Sequence, residues 1–287
     1  MQKEYIPYQK IVDQLDVKKG DTLILASNIT KLAFLSRRKE NSFDVNLFID
    51  SFKKRLGKDG TLIIPAYNHN LKSGGKFNVK NTMPITGTLA LVALKRKDFK
   101  RTKNPLHSFL VSGKYADDLC KMNNKSSFGP DSPFAFFLEK NAKMLFVSTT
   151  VTDAFTFTHF VEESEKVHYR KYQKLNIKIT DDNNQVSDEE YLFYKKKTGW
   201  DLDFKPLEEL FRGSILNEKS INGLKFQSLN ISNTYEIIRK DIAENRARSI
   251  AYFSLKLFVK DTVKQILGKL KIFKTTFDKI QDVNNLL

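Results

Sequence analysis

Gly20-Asp21-Thr22-Leu23-Ile24-Leu25-Ala26 and Gly57-Lys58-Asp59-Gly60-Thr61-Leu62-Ile63-Ile64-Pro65 are the two stretches on which the fold turns. Each sets a Gly/Asp turn directly before an unbroken apolar run, the mark of a strand covered on both faces. Between them lie polar Ser27-Asn28-Ile29-Thr30 and a helix expected over about 43–56, with Phe43, Leu47, Phe48, Phe52 and Leu56 on one face. Strand, loop, helix, turn and strand in that order form a βαβ unit of a layered α/β protein.

The same pattern extends outward. Ile11, Leu15 and Val17 give residues 7–19 helical spacing; helices are expected at about 87–98, 114–123 and 132–140, and strands at 108–112 and 143–148. Over 173–194 the pattern becomes that of a hairpin, turning at Asp181-Asp182-Asn183-Asn184. From 250 onward an apolar stripe (Ile250, Phe253, Leu257, Val263, Ile266, Leu267, Leu270, Phe273, Phe277, Ile280) is interleaved with seven lysines and three aspartates. The expected architecture is a three-layer α/β/α body with a central largely parallel or mixed sheet, an added β-hairpin section and a C-terminal amphipathic helical tail. The expected division is a body over 1–248, hairpin included, and a basic tail over 249–287.

Composition narrows the function classes. The 287 residues are 40% hydrophobic, too apolar for a disordered chain, and carry a formal net charge of +16. Such a charge attracts phosphate, whether on nucleic acid, lipid or a small ligand. No helix-turn-helix, zinc finger or ribonucleoprotein motif is present, so nucleic acid is not the expected partner. The single cysteine, Cys120, leaves no disulfide framework and no thiolate zinc site, and no His-Glu-x-x-His spacing suggests another metal. The N-terminus has no apolar leader and no uncharged run reaches membrane-spanning length, so a cytoplasmic location is expected.

Of four histidines, two have chemical context. His107 stands in Asn104-Pro105-Leu106-His107-Ser108 at the entry to a strand, and His159 precedes Glu162 and Glu163 by three and four residues. On a helix that spacing lets a carboxylate fix the imidazole tautomer and prepare a general base; the same pair also occurs as an ordinary helical contact. No G-x-G-x-x-G, P-loop or G-x-S-x-G occurs, so ligand phosphates must use other loops, such as Ser27-Asn28-Ile29-Thr30 and Ala66-Tyr67-Asn68 at the ends of parallel strands.

Taken in order, these segments resemble the aminoglycoside 3-N-acetyltransferase superfamily over about 7–240. The resemblance rests on the strand and polar loop Gly20 to Leu32, the Gly-x-x-Gly-Thr-Leu-x-x-Pro run Gly57 to Pro65, and Pro105-Leu106-His107-Ser108. It continues through Phe128 to Pro133, the Asp153…His159…Glu162 segment, and Leu210-Phe211-Arg212-Gly213. It implies acyl transfer from acetyl-CoA or another acyl-CoA to an amine on a sugar. His159 would be the base, with Asp153 or Glu162 orienting it or holding the acceptor's ammonium. Coenzyme A would lie near Ser27, Asn28, Ile29, Thr30, Lys31, Arg101, His107 and Ser108, and backbone amides of the 27–31 loop and near His107-Ser108 would hold the oxyanion. The chain departs from the family at Thr152, where a histidine is common, and at Ala154-Phe155-Thr156-Phe157, where Ser-Asn-Thr-Ser is common. A changed pocket of this kind alters the substrate more readily than the reaction.

Charge then bears on the acceptor. Aminoglycosides are polycations and a +16 chain is a poor partner for them, whereas a nucleotide-linked amino sugar, as used in surface-polysaccharide synthesis, is an anion. The alternatives are an aminoglycoside acetyltransferase conferring antibiotic resistance, a family member that keeps the fold without catalysis, and a non-catalytic basic protein that touches a membrane peripherally through its tail.

Overall fold

The computed structural model describes residues 4–267. A 3₁₀ helix (Tyr8–Gln14) leads into β1 (Thr22–Ser27), α1 (Thr30–Glu40), α2 (Val45–Leu56), β2 (Thr61–Pro65), β3 (Lys76–Asn78), α3 (Thr88–Leu94), β4 (Lys100–Arg101) and β5 (Phe109–Gly113). Then follow α4 (Ala116–Lys121), α5 (Pro133–Glu139), β6 (Lys143–Val147), α6 (Val151–Ala154), α7 (Thr158–Ser164), β7 (Arg170–Thr180), β8 (Val186–Lys196) and β9 (Trp200–Leu202). The chain continues with α8 (Lys205–Arg212), β10 (Asn217–Ile221), β11 (Leu224–Asn230), α9 (Ile231–Asn245), β12 (Ala251–Phe253) and a last helix, α10 (255–267).

Seven strands form the central sheet in the order β10-β11-β6-β1-β2-β5-β4. Its middle, β6-β1-β2, is parallel, and the flanking pairs are antiparallel, so the sheet is mixed. The unbroken apolar run of β1 is explained by its alternation: Leu23 and Leu25 enter one core with Leu62, Ile64, Phe48 and Phe52, while Ile24 and Ala26 enter the other with Ile63, Phe146 and Phe155. Where the end of β5 pairs with the start of β2, Gly113 has φ +117, and a Cβ there would sit 2.2 Å from the Gly60 carbonyl oxygen. The hairpin is longer than expected. β7 and β8 pair from Arg170↔Lys196 to Thr180↔Val186, and β3 joins β7 in parallel to make a separate three-stranded sheet.

Three expectations need correction. Thr30 and Lys31 are the first turn of a helix the periodicity did not show; α1 buries only Leu32 and Ser36, and its Ser-Arg-Arg-Lys-Glu end has no apolar stripe. The 7–19 helix is a short 3₁₀ segment. The tail boundary at 249 falls inside packed structure: Ile250 is fully buried and Ala251–Phe253 pairs with Trp200–Leu202. Of the expected tail, 268–287 lies outside the described residues. Among the described residues no helix is long and apolar enough to cross a membrane.

Candidate active site

β1, β2 and β6 end side by side at Ser27, Pro65 and Val147, and a cavity of about 1360 Å³ opens there. Its wall takes Ser27, Asn28, Ile29 and Thr30 from the β1–α1 loop, Ile85 to Leu89 from the entry to α3, and Tyr67 and His69 after β2. His107, Phe128, Asp153, Thr156, His159 and Arg170 follow, then Phe193 to Thr198, Trp200 to Leu202, and Leu257, Asp261, Lys264 and Gln265 of α10.

His159 is the second residue of α7, which places Glu162 one turn on and on the same face. Glu162 is fully buried; its Oε2 lies 2.6 Å from His159 Nδ1 and 2.9 Å from Arg170 Nη2, and its Oε1 accepts from the Tyr169 hydroxyl at 2.7 Å. Tyr169 is in turn stacked on Trp200, ring centres 5.1 Å apart. Burial alone would raise the Glu162 carboxyl, but His159, Arg170 and Tyr169 outweigh it and hold it below the usual carboxylate range. Burial, helped by Arg170, lowers His159 below its ordinary value despite the pull of Glu162. The pair is therefore neutral imidazole beside ionised carboxylate at neutral pH. Arg170 Nη2 also lies 3.1 Å from Nδ1, but the shorter contact to the carboxylate favours the tautomer in which Nδ1–H is donated to Glu162 and Nε2 carries the free lone pair. That is a base ready to take a proton.

Glu163, the other carboxylate one turn from His159, does something else: it accepts from Ser126 Oγ at 2.6 Å and fixes the turn before Phe128. Phe128 packs between the imidazoles of His107 and His159, at 4.7 and 5.3 Å between ring centres. His107 lines the cavity, is almost wholly buried with Nδ1 unpartnered, and is kept neutral chiefly by desolvation. Asp153 lines the cavity from α6, its Oδ2 accepting from Thr150 Oγ1 at 2.9 Å, and makes no contact with His159; the imidazole is oriented by Glu162. Thr152 donates its amide and hydroxyl to Glu208 and stands outside the wall.

Other expected ligand contacts fail on geometry. Arg101 is turned inward beneath β5: its guanidinium donates to Ser108 Oγ at 2.9 Å, Ala66 O at 2.9 Å and Asn68 Oδ1 at 2.8 Å, and stacks on Phe77. Burial lowers it to about 10, so it keeps its charge, solvated by protein oxygens, and cannot reach a phosphate. Ser108, fully buried, is part of the same knot. Lys31 is exposed and outside the wall. Of the expected oxyanion donors, the Asn28 amide is given to Val147 O and the His107 amide to Asn104 Oδ1. What the sequence reading missed is Tyr169, which holds Glu162 from beneath, and the far wall: Arg170, which also holds Glu162, and Lys171 and Lys195 to Lys197, which bring positive charge. No short motif marks them, because their placement depends on β7 returning past α7.

An imidazole–carboxylate base on the wall of a large cavity at the carboxyl ends of parallel strands is a site for chemistry that begins by removing a proton from a bound substrate. The family model for aminoglycoside 3-N-acetyltransferase matches residues 35–242. The chain belongs to that family, whose co-substrate is acetyl-CoA. The solved structure of the aminoglycoside acetyltransferase AAC(3)-Xa superposes with a TM-score of 0.69 at 14% identity, covering 83% of this chain and 91% of that one. AAC-IIIb in a binary complex with CoASH gives 0.69 at 13% identity, over 88% and 99% of the two chains. Sisomicin-bound AAC-VIa gives 0.68 at 14% identity, over 85% and 99%. A sequence search of curated proteins finds no match.

Proposed function

We propose that this chain acetylates an amino group of an amino sugar, with His159 as general base, Glu162 orienting it and Asp153 meeting the acceptor's ammonium. One observation carries the assignment: His159 Nδ1 lies 2.6 Å from a fully buried carboxylate that also accepts from Tyr169 and is ion-paired with Arg170, which favours donation from Nδ1 and leaves Nε2 as the proton acceptor. An amine near neutral pH is mostly ammonium and cannot attack a thioester until a base removes its proton. Acetyl-CoA would lie on the cavity's other side, along Ser27 to Thr30 and Thr86 to Leu89, at the start of α1. His107, held neutral, packs edge to face on Tyr67 in the cavity wall.

For the acceptor, the family's name and the sisomicin bound to one relative support an aminoglycoside. A second class, a nucleotide-linked amino sugar such as those that feed surface-polysaccharide synthesis, is supported by the charge of the wall. Six cations line it (Arg170, Lys171, Lys195, Lys196, Lys197, Lys264) against three carboxylates (Asp153, Asp201, Asp261). Setting aside the pairs Arg170–Glu162 and Lys196–Asp201, four lysines face two aspartates. A wall of that sign favours a polyanion over a polycation. Thiol release from acetyl-CoA, measured with sisomicin-type aminoglycosides and with nucleotide-linked amino sugars, separates the two. Turnover of the former alone removes the anionic reading, turnover of the latter alone the aminoglycoside one. Turnover of neither, with acetyl-CoA bound, leaves a family member without this activity.

A further inference from the structure

α10 has two faces. One completes the cavity with Leu257, Asp261, Lys264 and Gln265, and is pinned to the β8–β9 turn: Gln265 Nε2 donates to Thr198 Oγ1 at 3.0 Å, the Gly199 amide to Asp261 Oδ2 at 3.3 Å, and Phe258 packs on Phe253. The opposite face holds Leu255, Val259, Val263 and Ile266, at intervals of four, four and three residues, so all four share one side. They are 70%, 54%, 49% and 52% exposed. Leu267, also exposed, borders them on one side, and Lys256, Lys260 and Lys264, spaced by four, run in a row along the same flank. A soluble surface has no use for four aligned aliphatic side chains, and their exposure needs a covering.

We propose that this face seats the protein on an anionic lipid surface. The charge argues for that occupant over a second copy of the chain. A two-fold pairing through α10 would bring two lysine rows together on chains that each carry +16, whereas an anionic leaflet meets the aliphatic row with acyl chains and the lysines with headgroups. The sequence supplies more of the same charge: from residue 268 onward four further lysines and two aspartates follow. Because α10 is held to the β8–β9 turn by its inner face, docking would set one wall of the cavity against the membrane. The inference does not depend on the acceptor's identity.

The test is co-sedimentation of the full chain with vesicles of phosphatidylcholine and phosphatidylglycerol, against phosphatidylcholine alone. The expected result is binding to the mixed vesicles that weakens as salt is raised and falls at least about tenfold in Val259→Glu/Val263→Glu. Lys256→Gln/Lys260→Gln, both exposed and outside the cavity, should weaken it without affecting folding. Both double variants should keep thiol-release activity with a soluble acceptor, which separates lost docking from a lost active site. Absence of binding to the mixed vesicles, equal binding to phosphatidylcholine alone, or undiminished binding by both variants overturns the proposal. So does a dimer by light scattering that Val259→Glu/Val263→Glu dissolves, since α10 would then be an interface between copies.

Discussion

Glu162→Gln tests the catalytic reading most directly, because it keeps the volume of the side chain and removes only its charge. The carboxylate accepts from His159 at 2.6 Å and Tyr169 at 2.7 Å, and is ion-paired with Arg170 at 2.9 Å. An amide has one oxygen and must turn its NH₂ toward one of these groups. His159 and Arg170 share Oε2, and Arg170 can only donate, so the amide oxygen keeps that place and the NH₂ turns to the Tyr169 hydroxyl, which can accept. Nδ1–H stays donated and Nε2 stays free, but the negative charge that stabilises the imidazolium formed on proton transfer is gone. Much of the general-base contribution, about 10²- to 10⁴-fold in kcat, should be lost. The KM for acetyl-CoA should stay within about twofold, since the change lies on the acceptor side. Arg170 loses its counter-charge but keeps an oxygen, which places the destabilisation near the low end for a broken buried pair, about 3 kcal/mol. For a body of this size that is a melting-temperature drop of about 6–12 °C. The assay is thiol release at saturating substrates, across pH. In the wild type, activity should be lost as pH falls through the His159 value, which lies below 6.5. Whatever activity remains in the variant should have that acid limb at lower pH, because Glu162 pulls the histidine up. A kcat within threefold of wild type, or an acid limb that moves upward, would refute the reasoning.

Four further outcomes follow from the same geometry. Asp153→Asn should raise the acceptor KM about tenfold with acetyl-CoA KM unchanged if the carboxylate meets an ammonium, as steady-state kinetics on both substrates would read. Arg101→Met leaves Thr82 O and Asn68 Oδ1 without their donor, and should cost about 2–4 kcal/mol in denaturant unfolding while acetyl-CoA affinity in the folded protein changes little; a selective rise in acetyl-CoA KM would restore the phosphate role. Gly113→Ala, which drives a Cβ into the Gly60 carbonyl at positive φ, should destabilise the fold by more than about 2 kcal/mol, read as a lower melting temperature. Stability should fall as pH drops from 7 to 5: His107 and His159 have folded values below 6.5, so the unfolded chain binds protons first, and His107→Gln should flatten the slope of melting temperature against pH.

How far the residues could be read in advance follows the range over which each constraint acts. The β1–β2 core was legible because a doubly buried strand must be apolar at every position, and Leu23, Ile24 and Leu25 do enter two different cores. The His159–Glu162 pair was legible because one helical turn fixes it whatever surrounds the helix. α1 was not, since a helix that buries two residues leaves almost no periodic trace. Arg101 illustrates a different failure. A basic residue near a polar loop suggests a phosphate, yet its direction depends on whether neutral oxygens of three separate segments converge beneath it, and they do.

The net charge of +16 shows how a global quantity becomes useful only once it has a location. Spread over a surface it says little about function. Two places concentrate it. One is the far wall of the cavity, where Lys171, Lys195, Lys197 and Lys264 outnumber Asp153 and Asp261. The other is the outer edge of α10, where Lys256 and Lys260 flank an uncovered aliphatic row. Lys264 belongs to both, since it lines the cavity and ends the row. Charge reversal there, Lys264→Glu, should therefore act twice: it should raise the KM of an anionic acceptor and weaken anionic-vesicle binding. Lys195→Glu, on β8, should act on the acceptor alone. If both variants change only the kinetics, the basic charge serves the reaction. If Lys264→Glu changes only vesicle binding, the wall's charge has no part in choosing the acceptor and the argument against a polycation fails.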